Sequence, residues 1–398
     1  MQRLRRVSQL GFGEQAFPGA THTRFLHSLG TMHLASKAFE SVSRDLGFVP
    51  RREMARARAT IRLAGLLHDL GHAPLSHSGE NVLPLKNGRR RTATHEEVSV
   101  SLINHSDLAD LLRREFKDLG VRPRHVAGLI SARPPASDPF VVKGVSLLPL
   151  LRQLIASELD VDRMDYLIRD SYFTGVAYGR FDKDWVLSHL GAHRGGSNVG
   201  LTLDSSAIFT FEDFLLSRFH MFLMVYFHHK TIAYHRMLER FLEGAGRRIR
   251  APSDPEAFAD CDDEWLLLKI RASSSPWAKR IAGRRPLSLV VEAWDEDAVD
   301  LGRIRGDLEE SLPDSCEWVD SGVEFSKYFR GEDAGSAPRS RVLLVKTSQH
   351  TTRRPLVPVD EYSDLFVRQA AGRRVLRLYC REDDVDAVSK SVATRMRT

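Results

Sequence analysis

The sequence predicts a mainly α-helical protein with a smaller C-terminal α+β part. Residues 24–44, 54–70, 94–119 and 147–170 carry apolar side chains three and four positions apart, the period of a half-buried helix. Residues 207–246 read as a long, largely buried helix or two in succession. Strand-like runs come only late, at 287–294, 341–347 and 374–380.

Taken in order, "LADLLRREFKDLG" ends on a glycine, a normal helix stop. Residues 171–206 read as loops with a short hairpin, and "KNGRRRTA" (86–93) as a basic surface loop. After Gly246 the character changes. "RRIRAPSDPE" reads as a connection and "EWLLLKIRA" as a helix, and the helix-like stretches "DLGRIRGDLEESL" and "DDVDAVSKSVA" lie among the strands. The expected division is therefore 1–247, all helical, and 248–398, α+β, with oligomer contacts assigned to the second part. No internal repeat or low-complexity tract is visible.

At 398 residues, 42% hydrophobic and 28% charged, the chain has the make-up of an ordinary globular protein. It contains no apolar run of about 18 residues, so no membrane partner is expected. The start, "MQRLRRVSQLG", is basic without an apolar stretch, unlike a signal peptide. Cys261, Cys316 and Cys380 are far apart and form no CxxC. That argues against disulfides or a thiolate metal site and for a cytoplasmic location. The net charge is +6, with 47 Arg against 11 Lys. This excess is compatible with a nucleotide substrate or a nucleic-acid partner and requires neither.

The chemistry concentrates in "LLHDLGHAPLSHSGE" (66–80). Leu63, Leu66, Leu67 and Leu70 cover one helix side, Gly71 ends the helix, and His68 and Asp69 sit at its terminus. "THTRFLHSLG" places His27 early on an apolar helix, with Arg24 three residues before it on the same face. In "SELDVDRMDYLIRD", Asp162, Asp165 or Tyr166, and Arg169 can share a face. Buried carboxylates there must meet cations or a metal. His27, His68, Asp69 and Asp162 make a set of two histidines and two carboxylates. It suits octahedral Mn, Fe, Co, Ni or Zn better than Mg alone.

These motifs closely resemble the HD phosphohydrolase superfamily, in its dNTP triphosphohydrolase branch. The resemblance rests on "QLGFGEQAFPGATHTRFLHSLG", "AGLLHDLGHAPLSH", "THEEVS" and "LDVDRMDYLIRD", four ordered motifs across roughly residues 1–245. It implies an HD-domain helical bundle whose divalent metal is held by His27, His68, Asp69 and Asp162. It places His72 and His95 in the catalytic set and His77 on phosphate or as proton donor to the leaving group. Glu80 stands where relatives have an aspartate, one methylene shorter. "THEE" is also a capping box, Thr94 with Glu97, which fixes His95 at a helix start. Histidines titrate near neutrality, so a pair can deprotonate water and protonate a leaving oxygen. A metal-bound hydroxide is the other candidate nucleophile.

On the substrate side, the resemblance implies that Gln9 and Asp170 recognise the sugar 3′-hydroxyl and Leu10 packs beside it. Tyr166 would stack under the sugar and exclude a 2′-hydroxyl. Arg24, Arg163 and Arg218 would bind phosphates, and Tyr226 would lie near sugar and base. The implied reaction is dNTP plus water to deoxynucleoside and triphosphate, by a homo-oligomer. Relatives carry several dozen residues before the stretch matching "QRLRRVSQLG", so strong activation by dGTP or GTP through Gln2 and Arg5 is not expected. The competing readings are an HD phosphohydrolase acting on nucleoside monophosphates or oligonucleotide ends, and a nucleotide-binding regulator without turnover.

Overall fold

The computed structural model describes residues 1–86, 91–133, 135–245, 248–295, 305–306, 308, 312–313, 315–323, 342–346, 355–363, 365 and 373–395. Its first part is a stack of helices: α1 (Arg24–Ser43), α2 (Arg51–Leu67), α3 (His95–His105), α4 (Asp107–Glu115), α5 (Pro123–Ile130), α6 (Leu148–Ile155) and α7 (Val161–Thr174). Then come α8 (Lys183–Ser188), α9 (Ile208–Met221) and α10 (His229–Ala245). The central helix α1 packs on both α2 and α7, which is what brings three distant motifs together. Phe39, Ile61, Leu67, Leu151, Met164, Phe211 and Phe214 are sealed in one continuous core.

Two expected helices break where side chains satisfy backbone groups better than helix continuation would, and the segment read as one helix or two in succession forms two. The stretch 94–119 divides at Ser106, which is extended and whose hydroxyl caps α4 at Leu108 N–H. The stretch 147–170 divides because Asp160 accepts from Ser157 N–H and Arg163 N–H, starting α7 afresh. The long 207–246 segment is α9 and α10 joined through a wide π turn, Phe222–Tyr226. Such turns re-aim side chains, and this one carries Tyr226 to the cavity described below.

Strands are few. β1 (Leu85–Lys86) and β2 (Arg91–Thr92) pair at the base of the basic loop, whose residues 87–90 lie outside the described set. A six-stranded sheet gathers β3 (Val141–Val142), β4 (Val145–Ser146), the hairpin β5 (Leu190–Gly195) and β6 (Asn198–Asp204), and the later β9 (Leu343–Val345) and β10 (Leu356–Pro358). A three-stranded antiparallel sheet orders β7 (Ser288–Trp294), β11 (Arg373–Cys380) and β8 (Glu317–Val323), with β11 central.

The change of composition near residue 248 falls inside the main core. Ala251 N–H donates to Val82 O, and α11 (Pro255–Phe258), α12 (Asp263–Arg271) and α13 (Pro276–Ala282) bury Phe258, Leu266, Ile270 and Ile281 against the helical stack. A separate apolar cluster of Val291, Leu308, Leu378, Cys380, Val388 and Val392 joins the three-stranded sheet to the helix Val385–Arg395. Most of the helix expected at 300–312 lies outside the described residues. Among the described residues, no helix is long and apolar enough to cross a membrane.

One buried ring makes the fold sensitive to acid. His125, in the first turn of α5, accepts the Arg122 N–H on Nδ1 at 3.2 Å. Burial, then the charges of Arg56, Arg124 and Arg122, bring its pKa down from 6.5 to about 4. Between those values the unfolded chain binds a proton that the folded chain does not. The stability this ring contributes is therefore complete above pH 6.5 and is lost as pH falls toward 4. The urea midpoint of the wild type should fall more steeply across this window than that of His125→Gln. Parallel curves would contradict the assignment.

Candidate active site

The site is assembled where α1, the end of α2 and the start of α7 meet. His68 is the C-cap of α2, and its Nδ1–H donates to Gly65 O at 2.9 Å, which leaves Nε2 facing outward. His27 Nδ1 lies 2.8 Å from Asp165 Oδ2, and Arg169 holds that carboxylate through both oxygens at 2.7 and 2.8 Å. Helices α1 and α7 can approach this closely because of Gly30, where a Cβ would stand 1.8 Å from Asp165 Oδ1. A carboxylate behind one imidazole and a carbonyl behind the other fix both rings with Nε2 as the free acceptor. That is the usual arrangement behind a metal.

The free atoms converge. His27 Nε2 is 3.2 Å from His68 Nε2 and 2.9 Å from Asp162 Oδ1, and His68 Nε2 is 3.3 Å from the same Asp162 oxygen. Asp69 adds Oδ1 at 3.2 Å from His68 Nε2 and Oδ2 at 3.6 Å from His27 Nε2. Donors about 2.1 Å from one octahedral ion stand about 3 Å apart along each edge. His27, His68 and Asp162 thus each place one donor atom within reach of a single divalent cation, with the Asp69 carboxylate beside them, and imidazoles with carboxylates are the donor chemistry of a transition ion. The same pocket attracts positive charge. Burial lowers the pKa of His27, yet its hydrogen bonds to Asp162 and Asp165 outweigh burial and raise it to about 10. Burial opposes ionisation of Asp69 as well, but Arg24, His68 and His72 hold that carboxyl well below the usual range.

A second cluster lies beside the first. His77 Nδ1 and His95 Nδ1 both face Glu80 Oε1, at 2.7 and 3.3 Å. His95 also stacks on His72, with ring centroids 4.0 Å apart, and His72 Nε2 is 3.3 Å from Asp69 Oδ1. The longer glutamate thus spans two histidines. Burial disfavours the ionised Glu80, but its bonds to His77 and His95 prevail and hold its pKa below the ordinary carboxylate range. Gly71 lets this turn meet α3: a Cβ there would lie 2.2 Å from His95 O, and its N–H donates to Ser99 Oγ at 2.8 Å. Arg24 joins the clusters, donating from Nη1 to Asp69 at 2.6 Å and from Nε to Ser76 Oγ at 2.7 Å.

Both clusters open onto a cavity of about 590 Å³, the size of a small-ligand site. Gln9, Leu10, Arg24, Tyr166, Asp170 and Tyr226 line it together with the histidines. Tyr226 donates to Asp170 Oδ2 at 2.8 Å, while His22 Nε2 lies 2.7 Å from Asp170 Oδ1. Gln9 is anchored by its N–H to His22 O, and its buried Oε1 has no partner among the described residues. Three expected residues are not on the wall. Glu80 stands behind His77 and His95, and Arg163 and Arg218 pair with Asp160 at 2.6 Å and Glu158 at 2.9 Å.

Sequence reasoning passed over Ser76, His22 and His235. Ser76 lies inside the quoted motif and bears on Arg24. His22 reaches Asp170 across 148 positions, a pairing no local pattern reveals. His235 lines the cavity with Nε2 buried and without a partner among the described residues; burial, then the nearby His77, lowers its pKa to about 4.

The HD domain family matches residues 24–170, the span that carries the convergent histidines and aspartates. The chain is an HD-domain protein. The HD associated region matches residues 193–291, next to the HD domain. Among curated proteins, the chain is 34% identical over 246 residues to the uncharacterized protein YwfO of Bacillus subtilis, covering 61% of this chain and 49% of that one. It is 26% identical over 407 residues to the deoxynucleoside triphosphate triphosphohydrolase SAMHD1 homolog of Dictyostelium discoideum, covering 96% of this chain and 73% of that protein. The crystal structure of a hypothetical protein from Aquifex aeolicus superposes with a TM-score of 0.76 at 26% identity, over 98% of this chain and 92% of that one. The chain spans about half the length of the first curated relatives it matches, 51% of each of two mycoplasma proteins and 49% of YwfO.

Proposed function

We propose that this HD-domain protein is a metal-dependent deoxynucleoside triphosphate triphosphohydrolase that works as a homo-oligomer. The observation that carries the reading is the junction of two clusters in one cavity, a donor set for a divalent ion beside a histidine pair sharing Glu80. The activity named for the Dictyostelium relative, and the presence of Gln9, Tyr166 and Asp170 on the cavity wall, support it.

His27, His68, Asp69 and Asp162 would hold the metal, which supplies positive charge against the α-phosphate and acidifies water. Arg24, already at the wall and buried, adds a fixed guanidinium for phosphate oxygens. Gln9 and Asp170 bind the sugar 3′-hydroxyl, and Tyr166 covers the sugar. Because Glu80 takes the Nδ1 side of His77 and of His95, each ring presents Nε2 to the substrate. His77 donates a proton to the 5′-oxygen as the bond to the α-phosphorus breaks. His95 accepts the proton that water loses as its oxygen bonds to that phosphorus. Arg163 and Arg218 neutralise Asp160 and Glu158 one layer behind the phosphate cavity.

The test is product identity. Purified protein is incubated with Mn, Co or Mg and each dNTP, NTP and dNMP, followed by chromatography. Deoxynucleoside with triphosphate is the expected result. Orthophosphate from monophosphates, or nucleotide binding with no product under any metal, would overturn it.

A further inference from the structure

Asp263, the first residue of α12, lies far from the HD motif in sequence and belongs to the HD associated region. Its carboxylate is buried and accepts three hydrogen bonds. Oδ1 takes the Leu75 N–H at 2.6 Å, and Oδ2 takes both the Ser8 N–H at 2.8 Å and the Ser8 hydroxyl at 2.6 Å. One side chain therefore grips two segments that are 67 positions apart, and both lead directly to the cavity. Ser8 precedes Gln9 and Leu10; Leu75 precedes Ser76 and His77. The Ser76 hydroxyl closes the loop by donating to Ser8 O.

The second segment needs such a partner. Leu75 and Ser76 both hold left-handed backbone, with φ of 58° and 56°, although neither is glycine. Such backbone is strained for a residue with a Cβ and persists only where surrounding contacts over-determine it. The strained pair immediately precedes His77 and carries Ser76, the partner of Arg24. Arg3 repeats the pattern next door. It donates to Cys261 O, two residues before Asp263, and to the carbonyls of Leu70 and His72 at 3.2 and 2.6 Å. The turn at Cys261–Asp263 thus anchors the sugar-side arm and the histidine turn at once.

We infer that Asp263 is a positioning residue for the reaction, which sets the distance between the Gln9 arm and the His77 turn so that one substrate meets both. The HD associated region is, on this account, part of the catalytic apparatus of the HD domain. The inference rests on the proposed function, because Gln9 and His77 matter only if sugar and phosphate occupy that cavity.

Asp263→Asn tests it in the full-length protein. The amide keeps the volume but can accept on one arm only, turning a donor toward the other. Metal content should equal that of the wild type, because none of the four donors bonds to Asp263. With both proteins folded, kcat for dNTP should fall at least tenfold. The preference for dNTP over the 2′,3′-dideoxy analogue, measured as the ratio of kcat/KM, should shrink at least fivefold. Amide exchange at Leu75–His77 should speed up. Ser8→Ala, which removes one of the three bonds, should show the same signature more weakly and covers the case in which Asp263→Asn does not fold. Faster exchange with unchanged preference and kcat, or equal losses on both substrates, would reduce Asp263 to a stabilising contact and overturn the inference. A wild type inert toward every nucleotide while exchange at Leu75–His77 still responds would overturn the proposed function and leave the clamp standing.

Discussion

His68→Ala should lower dNTP turnover by about 10³-fold or more, a loss of about 4 kcal/mol of transition-state stabilisation, and should strip the protein of its divalent ion. Removing this imidazole deletes one of the proposed donors, whose Nε2 lies 3.2 Å from His27 Nε2 and 3.3 Å from Asp162 Oδ1. It also removes a ring that both the Asp69 and the Asp162 carboxylates approach. The fold should survive, because among the described residues the ring holds the backbone at one point, Gly65 O. Asp165→Asn is the graded companion. It touches no ion but supports His27 from behind, and loss of such a support costs about 10–100-fold in metal affinity. Metal analysis of the purified variants beside turnover checks both. Full activity in His68→Ala would exclude the donor assignment.

His77→Ala should reduce kcat by about 10²–10⁴-fold with little change in metal content, the range expected for loss of a general acid. His77 stands exposed at the cavity, its Nδ1 fixed by Glu80 at 2.7 Å, so its free nitrogen is the one able to reach a leaving oxygen. A substrate whose bridging 5′-oxygen is replaced by sulfur leaves as a stable thiolate and needs no such proton. The defect of His77→Ala should therefore shrink sharply on the 5′-thio analogue. An equal defect on both substrates would mean that His77 binds phosphate and moves no proton.

Much of this site is legible in the sequence because its ligands sit at fixed offsets on helices. The His68–Asp69 pair is legible from its place at the end of α2 and the Asp162, Asp165, Arg169 face of α7 from helical period, and packing on α1 brings them together. Glu80 stands where the resemblance implies a shorter acid. In the folded chain its extra methylene lets one carboxylate oxygen serve His77 and His95 together.

What was not legible is long-range or conformational. Arg163 and Arg218 carry the right charge, but Asp160 and Glu158 hold them off the cavity wall, and no spacing rule predicts which carboxylate an arginine takes. The break of the expected 147–170 helix follows from the Asp160 side chain choosing two backbone N–H groups. The expected division at 248 followed composition, whereas the core follows contacts. Ala251, Phe258 and Val342 belong to the first core, and Asp263 reaches back to Ser8 and Leu75.

The most direct measurement of the central claim is turnover of a dNTP in H₂¹⁸O, followed by ³¹P NMR of the products. Attack at the α-phosphorus predicts intact triphosphate carrying one ¹⁸O on a terminal phosphorus, with unlabelled deoxynucleoside. Label appearing in orthophosphate or pyrophosphate, or in the hydroxyl of the deoxynucleoside, would contradict it.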